Sequence, residues 1–128
     1  MAEGFLRHML PGCTTRSAGL GALVGQPADP TARELMFADG IDISGHRANQ
    51  LLSVDCMHAD LILVMDMEQK HLLESQHMVS RGKIFRLGEF TRCDIADPYR
   101  KGRRDFEQCR DIVLDSVNDW VRRIRSQA

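Results

Sequence analysis

The sequence predicts an α/β domain in which helices flank a parallel sheet in three layers. The first indication is 60–65, an apolar run with branched side chains after one aspartate, typical of a strand covered on both faces. The second is 103–125, where apolar residues recur every three or four positions, as on one face of a helix. The third is the alternation of strand-like with helix-like segments, which favours parallel strands joined by right-handed crossovers. At 128 residues, we expect one domain over 1–128.

The first part of the chain predicts two helices and one strand. Residues 2–10 carry apolar side chains at helical spacing and stop at a Pro-Gly pair. Residues 14–20 form a short β-prone run before a loop. Asp29 and Pro30 predict a helix start, because aspartate accepts free amides there and proline has no amide to lose. That helix should end near Gly40.

The second part continues the alternation. After the strand 60–65, Asp66 is placed to cap a helix that runs to about Gln76. Residues 83–87 predict a further strand, and 93–102 a polar loop with one proline. The last helix follows directly.

Composition excludes several classes of protein. A net charge of −1, from 17 basic and 18 acidic side chains, gives no positive field for nucleic acid. The longest apolar stretches fall far short of the roughly 20 residues that a membrane span needs. The start of the chain lacks the charged-then-apolar order of a secretory signal. The four cysteines lack paired metal or redox spacing. We expect a cytoplasmic protein with reduced thiols, no metal or cofactor, and no nucleic-acid or membrane partner.

The loop 93–102 carries the most unusual set of side chains. It combines Asp97 with a proline, Tyr99 and two cations. In an α/β sheet such a loop follows the carboxyl end of a strand, where ligands bind. A solvated turn capped by aspartate accounts for the same composition, and composition alone favours it.

Five segments resemble the low-molecular-weight protein-tyrosine phosphatases, in that family's order and spacing. They are S-A-G-L at 17–20, G-Q-P-A-D-P at 25–30, G-I-D-I-S-G-H-R at 40–47, L-V-M-D at 63–66 and D-P-Y-R at 97–100. The resemblance covers essentially the whole chain and is similar to the bacterial branch that serves tyrosine autokinases of capsule and exopolysaccharide export. It implies hydrolysis of phosphotyrosine on a protein, such as an autokinase, through a cysteinyl-phosphate intermediate.

The family's nucleophile has no counterpart in these 128 residues. In the family a cysteine is followed six positions later by an arginine, then by Ser-Pro and a helix that begins much like Met1-Ala2-Glu3. Six positions after the four cysteines stand Gly19, Ile62, Tyr99 and Asp115. Cys13, with Arg16 nearby, has the wrong spacing. We therefore expect no nucleophile, no turnover, and a sheet without the family's first central strand.

The resemblance also implies roles for four residues. Asp97 is the general acid, which protonates the tyrosyl oxygen and later activates water. Tyr99 forms the wall along which the phosphotyrosine ring lies, with a half-buried loop anchor as the alternative. Ser17 and His46 support the phosphate loop from behind. The chain departs from the family at Ala96, where relatives often have proline.

Two functions remain open at this point. The gene product could be an active phosphatase of which this chain is the result of an internal start. Alternatively, the chain could be a non-catalytic relative that binds a kinase or its phosphotyrosine tail. The coding sequence upstream separates the two.

The absent strand has a structural consequence. In the family it lies between 16–20 and 61–65, so its neighbours would stand about 9.6 Å apart, too far for hydrogen bonds. We expect 16–20 to be detached from the other strands. The chain alone should then be poorly folded, be rearranged, or exchange a strand with a second copy.

Overall fold

The computed structural model describes residues 1–127. The helices and strands are α1 (Ala2–Met9), α2 (Pro30–Ala38), α3 (Ser53–His58), β1 (Ile62–Val64), α4 (Met67–Gln76), β2 (Ile84–Arg86) and α5 (Arg103–Ser126). Single turns of 3₁₀ helix lie at Met78–Ser80 and Glu89–Thr91. Within residues 1–127, no helix is both long and apolar enough to cross a bilayer.

The two strands form a parallel sheet with helices on both faces, which confirms the predicted fold class. Ile62 pairs with Ile84, and Val64 with Arg86. Alternate strand residues pack on opposite sides, as the period of two requires. Leu61, Leu63, Met65 and Phe85 pack with side chains of α1 and α5. Ile62, Val64 and Ile84 pack with Leu73 of α4.

Residues 14–20 do not form the predicted strand. The segment makes one isolated parallel bridge, between Gly19 and Gln50. The Gly19 amide donates to the Asn49 carbonyl at 2.9 Å, and the Leu51 amide donates to the Gly19 carbonyl at 2.9 Å. A strand needs a ladder of such bonds, and the segment pairs with neither β1 nor β2. The two-stranded sheet of residues 1–127 agrees with the expectation that 16–20 is detached.

The predicted helix starts are confirmed. The Thr31 amide donates to the Asp29 carboxylate at 2.8 Å, and Pro30 is the first residue of α2. Gly40, with φ of 81°, follows the end of α2 in a conformation that favours glycine. The Gln69 amide donates to the Asp66 carboxylate at 2.7 Å, so Asp66 caps α4. α3 was not anticipated.

The predicted apolar stripe of α5 supplies more buried apolar residues to the core than any other helix or strand. Its buried residues are Phe106, Val113, Val117, Trp120 and Val121. The indole nitrogen of Trp120 donates to the Leu87 carbonyl at 2.8 Å and to the Arg86 carbonyl at 3.3 Å. Helix α5 therefore holds the backbone at the carboxyl end of β2.

We expect amides in 16–20 to exchange with deuterium much faster than those of β1. Gly19 is bonded only to a neighbouring loop, whereas β1 is paired with β2 and covered by helices on both faces. Exchange should be followed by NMR or mass spectrometry on a monomer verified by light scattering. The Val117 amide in α5 reports global opening. Equal, strong protection of 16–20 and 62–64 would contradict this expectation.

Candidate active site

The acid loop, residues 93–102, begins at the carboxyl ends of both strands. The Ile95 amide donates to the Met65 carbonyl just after β1 at 2.8 Å. The Cys93 amide donates to the Gly88 carbonyl just after β2 at 3.0 Å. Ile95 itself is buried, so it anchors the loop. The loop thus lies at the edge where parallel α/β sheets bind ligands.

Asp97 and Tyr99 share one tight turn of this loop. The Tyr99 amide donates to the Asp97 carboxylate at 2.9 Å, which fixes the carboxylate relative to the backbone. Pro98 is buried, whereas Asp97 is exposed and Tyr99 is 52% exposed. The Arg100 guanidinium lies 5.2 Å from the centre of the Tyr99 ring. The turn therefore presents a carboxylate and an aromatic ring to solvent, with proline as its anchor.

His46 and Ser17 lie on other segments. His46 Nδ1 is 3.3 Å from the carboxylate of Glu3, in the first turn of α1. The carbonyl oxygen of Ser17 accepts a bond from the side-chain amide of Asn49 at 2.9 Å. Within residues 1–127, neither side chain is hydrogen-bonded to Asp97. The structure thus brings Asp97 and Tyr99 together and places His46 beside the start of α1.

The Cys109 thiol of α5 has a raised pKa. Burial raises the pKa of the Cys109 thiol, the Met1 amino group opposes this shift, and the Asp97 carboxylate adds to it. Burial also lowers the pKa of the Met1 amino group. Met1 and Cys109 both pack against the main apolar core.

A three-residue ion cluster secures the base of the acid loop, and sequence reasoning missed it. Arg86 donates through Nη1 to Asp94 at 3.0 Å and through Nε to Glu89 at 3.3 Å. Asp94, then Glu89, raise the pKa of Arg86 above its usual range. We call Arg86, Glu89 and Asp94 the Arg86 cluster. An arginine inside an otherwise apolar strand was the available signal.

Gly88 allows the chain to fold back from β2 to the acid loop. A Cβ atom at Gly88 would lie 2.5 Å from the carbonyl oxygen of Cys93 and 2.7 Å from its sulfur. Real Cβ atoms do not approach backbone oxygen that closely. The turn between Arg86 and Asp94 therefore closes because residue 88 has no side chain.

The four thiols differ strongly in environment. Cys56 is 1% exposed, and its burial raises its pKa. Cys13 is exposed after α1, and Cys93 lies 3.1 Å from the Thr91 hydroxyl.

Within residues 1–127, no group of three or more His, Cys, Asp or Glu side chains is arranged to hold a metal ion.

The family model described as low molecular weight phosphotyrosine protein phosphatase matches residues 1–128. The chain belongs to this family. The observed three-layer packing and the loop at the strand ends agree with that membership.

Individual relatives give the same assignment. A probable low molecular weight protein-tyrosine-phosphatase, EpsP of Ralstonia nicotianae, is 52% identical over 126 residues, which are 98% of this chain and 87% of EpsP. The phosphatase Wzb of Escherichia coli K12 is 36% identical over 129 residues, covering 98% and 86%. Wzb of Vibrio vulnificus, solved with benzylphosphonate, superposes with a TM-score of 0.91 at 32% identity over 95% and 87%. These relatives confirm the bacterial exopolysaccharide branch of the phosphatase family.

We expect alkylation at neutral pH to modify Cys13 first and Cys56 last. Cys13 is exposed, whereas the Cys56 thiol is buried with a raised pKa, so little reactive thiolate is present. Raising the pH should accelerate Cys109, because more of its thiolate forms as the pH approaches its raised pKa. Iodoacetamide labelling followed by peptide mass spectrometry measures the order. In denaturant the four rates should converge, and rapid native labelling of Cys56 would contradict the burial.

Proposed function

We propose that the family's phosphotyrosine hydrolysis uses Asp97 of this chain as the general acid and Tyr99 as the wall for the substrate ring. The observation that carries this proposal is the shared turn, in which the Tyr99 amide holds the Asp97 carboxylate at 2.9 Å. Both side chains are exposed at the ligand-binding edge of the sheet. A proton donor and an aromatic surface are therefore adjacent, as cleavage of an aryl phosphate requires.

The reaction would proceed in two steps. A cysteine thiolate attacks phosphorus, the bond from phosphorus to the tyrosyl oxygen breaks, and Asp97 gives its proton to that oxygen. Asp97, now a carboxylate, then takes a proton from water, which attacks the cysteinyl phosphate and releases inorganic phosphate. No cysteine in residues 1–128 has an arginine six positions after it. We therefore expect none of the four cysteines to supply this thiolate.

Ser17 and His46 would support the loop that carries the thiolate. His46 is held by Glu3 at the first turn of α1, the helix that the family's phosphate loop precedes. The backbone of Ser17 is held by Asn49. Both residues would act on the loop rather than on the substrate.

We infer that the substrate is a phosphotyrosine-bearing protein, with a bacterial tyrosine autokinase as the best match to the branch. Vibrio vulnificus Wzb was solved with benzylphosphonate, which joins an aromatic ring to an anion much as phosphotyrosine does. Arg100 and Lys101 follow Tyr99 and favour an anionic partner. Four free cysteines support a reducing, cytoplasmic location.

A second candidate is a non-catalytic protein that binds a kinase or its phosphotyrosine tail. It is favoured by the Asp97 turn itself, which presents the exposed Tyr99 ring beside the Arg100 guanidinium and could bind a phosphotyrosine without cleaving it. In residues 1–127, β1 pairs only with β2, so its other edge could take a strand exchanged from a second copy. Tight phosphotyrosine-peptide binding without hydrolysis would favour this candidate.

We expect residues 1–128 to release no phosphate above background from an aryl phosphate. The covalent step and the charge stabilisation both need the cysteine-arginine loop. Phosphate release should be measured colorimetrically with the Cys13→Ser variant as control. Robust turnover that this variant abolishes would overturn the expectation and make Cys13 the nucleophile.

We expect Asp97→Asn to slow hydrolysis by roughly a hundredfold or more once residues 1–128 are joined to a cysteine-arginine loop. Asparagine keeps the shape of the turn but has no acidic proton to transfer to the leaving oxygen. Steady-state kcat on phenyl phosphate measures the effect, and Asp115→Asn on the exposed side of α5 is the matched control. An unchanged rate in the Asp97 variant would remove Asp97 from the mechanism.

A further inference from the structure

The Arg86 side chain links two acidic residues that follow β2 in sequence. It is only 14% exposed and contacts both Asp94 and Glu89. The planar guanidinium can bind two carboxylates in fixed directions, whereas a lysine ammonium is a single point charge. The main chain at Arg86 is itself held by Trp120. Arg86 is therefore a rigid support from which the two bonds extend.

One carboxylate oxygen of Asp94 connects the acid loop to both β2 and α4. Its Oδ1 accepts from Arg86 of β2 at 3.0 Å and from the Met67 amide, the first residue of α4, at 3.2 Å. Asp94 is three residues before Asp97. The next residue, Ile95, is bonded to Met65. The base of the acid loop is thus fixed to both strands and to α4 immediately before the general acid.

We propose that Arg86 is a positioning residue for the general acid and that it acts through Asp94. This inference rests on the proposed role of Asp97. Without the Arg86 bond, the Asp94 side chain keeps only the Met67 amide, and the loop is held at the strand ends only by the Cys93 and Ile95 amides, so its position is less restrained. Asp97 then spends less time where it can protonate the leaving oxygen, while binding of the phosphate group is unaffected.

The choice of leaving group distinguishes a misplaced general acid from a general loss of folded protein. Phenolate is a poor leaving group and needs the proton from Asp97, whereas para-nitrophenolate leaves far more easily without it. A misplaced acid therefore slows phenyl phosphate more than para-nitrophenyl phosphate. A general loss of folded protein lowers both rates equally.

The kinetic test compares Arg86→Gln, Asp94→Asn and the double variant, each joined to the cysteine-arginine loop. We expect kcat/KM, which reports only the first step, to fall about tenfold or more on phenyl phosphate and much less on para-nitrophenyl phosphate. The double variant should lose no more than Arg86→Gln alone, because each single substitution already removes the contact of Arg86 with Asp94. Arg86→Lys should recover only part of the rate. Equal losses on both substrates, or no loss, would overturn the proposal.

A second test uses residues 1–128 and needs no catalysis. Arg86→Gln should raise deuterium exchange at the Ile95 and Tyr99 amides about tenfold and leave Val117 in α5 unchanged. Arg110→Gln is the control, since the ion pair of Arg110 with Asp111 lies within α5. Unchanged exchange at Ile95 and Tyr99 would overturn the proposal. If Asp97→Asn is kinetically silent but exchange rises, the role of Asp97 fails and the attachment of the loop to Arg86 stands.

Discussion

The packing of α5 against the two-stranded sheet is the constraint on which the other elements depend. Two short parallel strands cannot bury their own faces, so one face needs a long apolar surface from elsewhere. Val113, Val117 and Trp120 supply it, together with Phe5 of α1. The Trp120 indole also bonds the carbonyl of Leu87. The core contact thereby sets where β2 ends and where the acid loop begins.

Local sequence signals were enough to predict the elements that are defined by residues within their own segment. The stripe of α5 is visible as apolar spacing, and Asp29 and Asp66 cap helices with their own side chains. The strand predicted at 14–20 failed because a strand exists only with a partner, and the sequence shows propensity but not pairing. Helix α3 was missed because Leu52 is a poor cap; the amide of Leu52 instead donates to Asp55 at 2.9 Å.

The candidate site contains both a local turn and a contact between separate segments of the chain. The roles of Asp97 and Tyr99 were predicted only through the resemblance of the D-P-Y-R segment to the family, because composition alone favoured a solvated turn. The structure shows that this segment forms one turn with a local bond. The contact of Arg86 with Asp94 spans eight positions and depends on a chain reversal through Gly88. An arginine in an apolar strand stands out in the sequence, but the sequence does not show which carboxylate it binds. That partner is set by the chain reversal at Gly88.

Ala96 lies in the acid loop between two residues that are held by hydrogen bonds. Proline at this position would fix one backbone dihedral immediately before Asp97. In this chain Ile95 is bonded to Met65, and Asp97 is bonded to Tyr99, with the exposed Ala96 between them. An alanine there leaves more conformational freedom than a proline. The bond from Arg86 to Asp94 restrains the chain two residues before Ala96, on the side of the loop that is nearer to the strands.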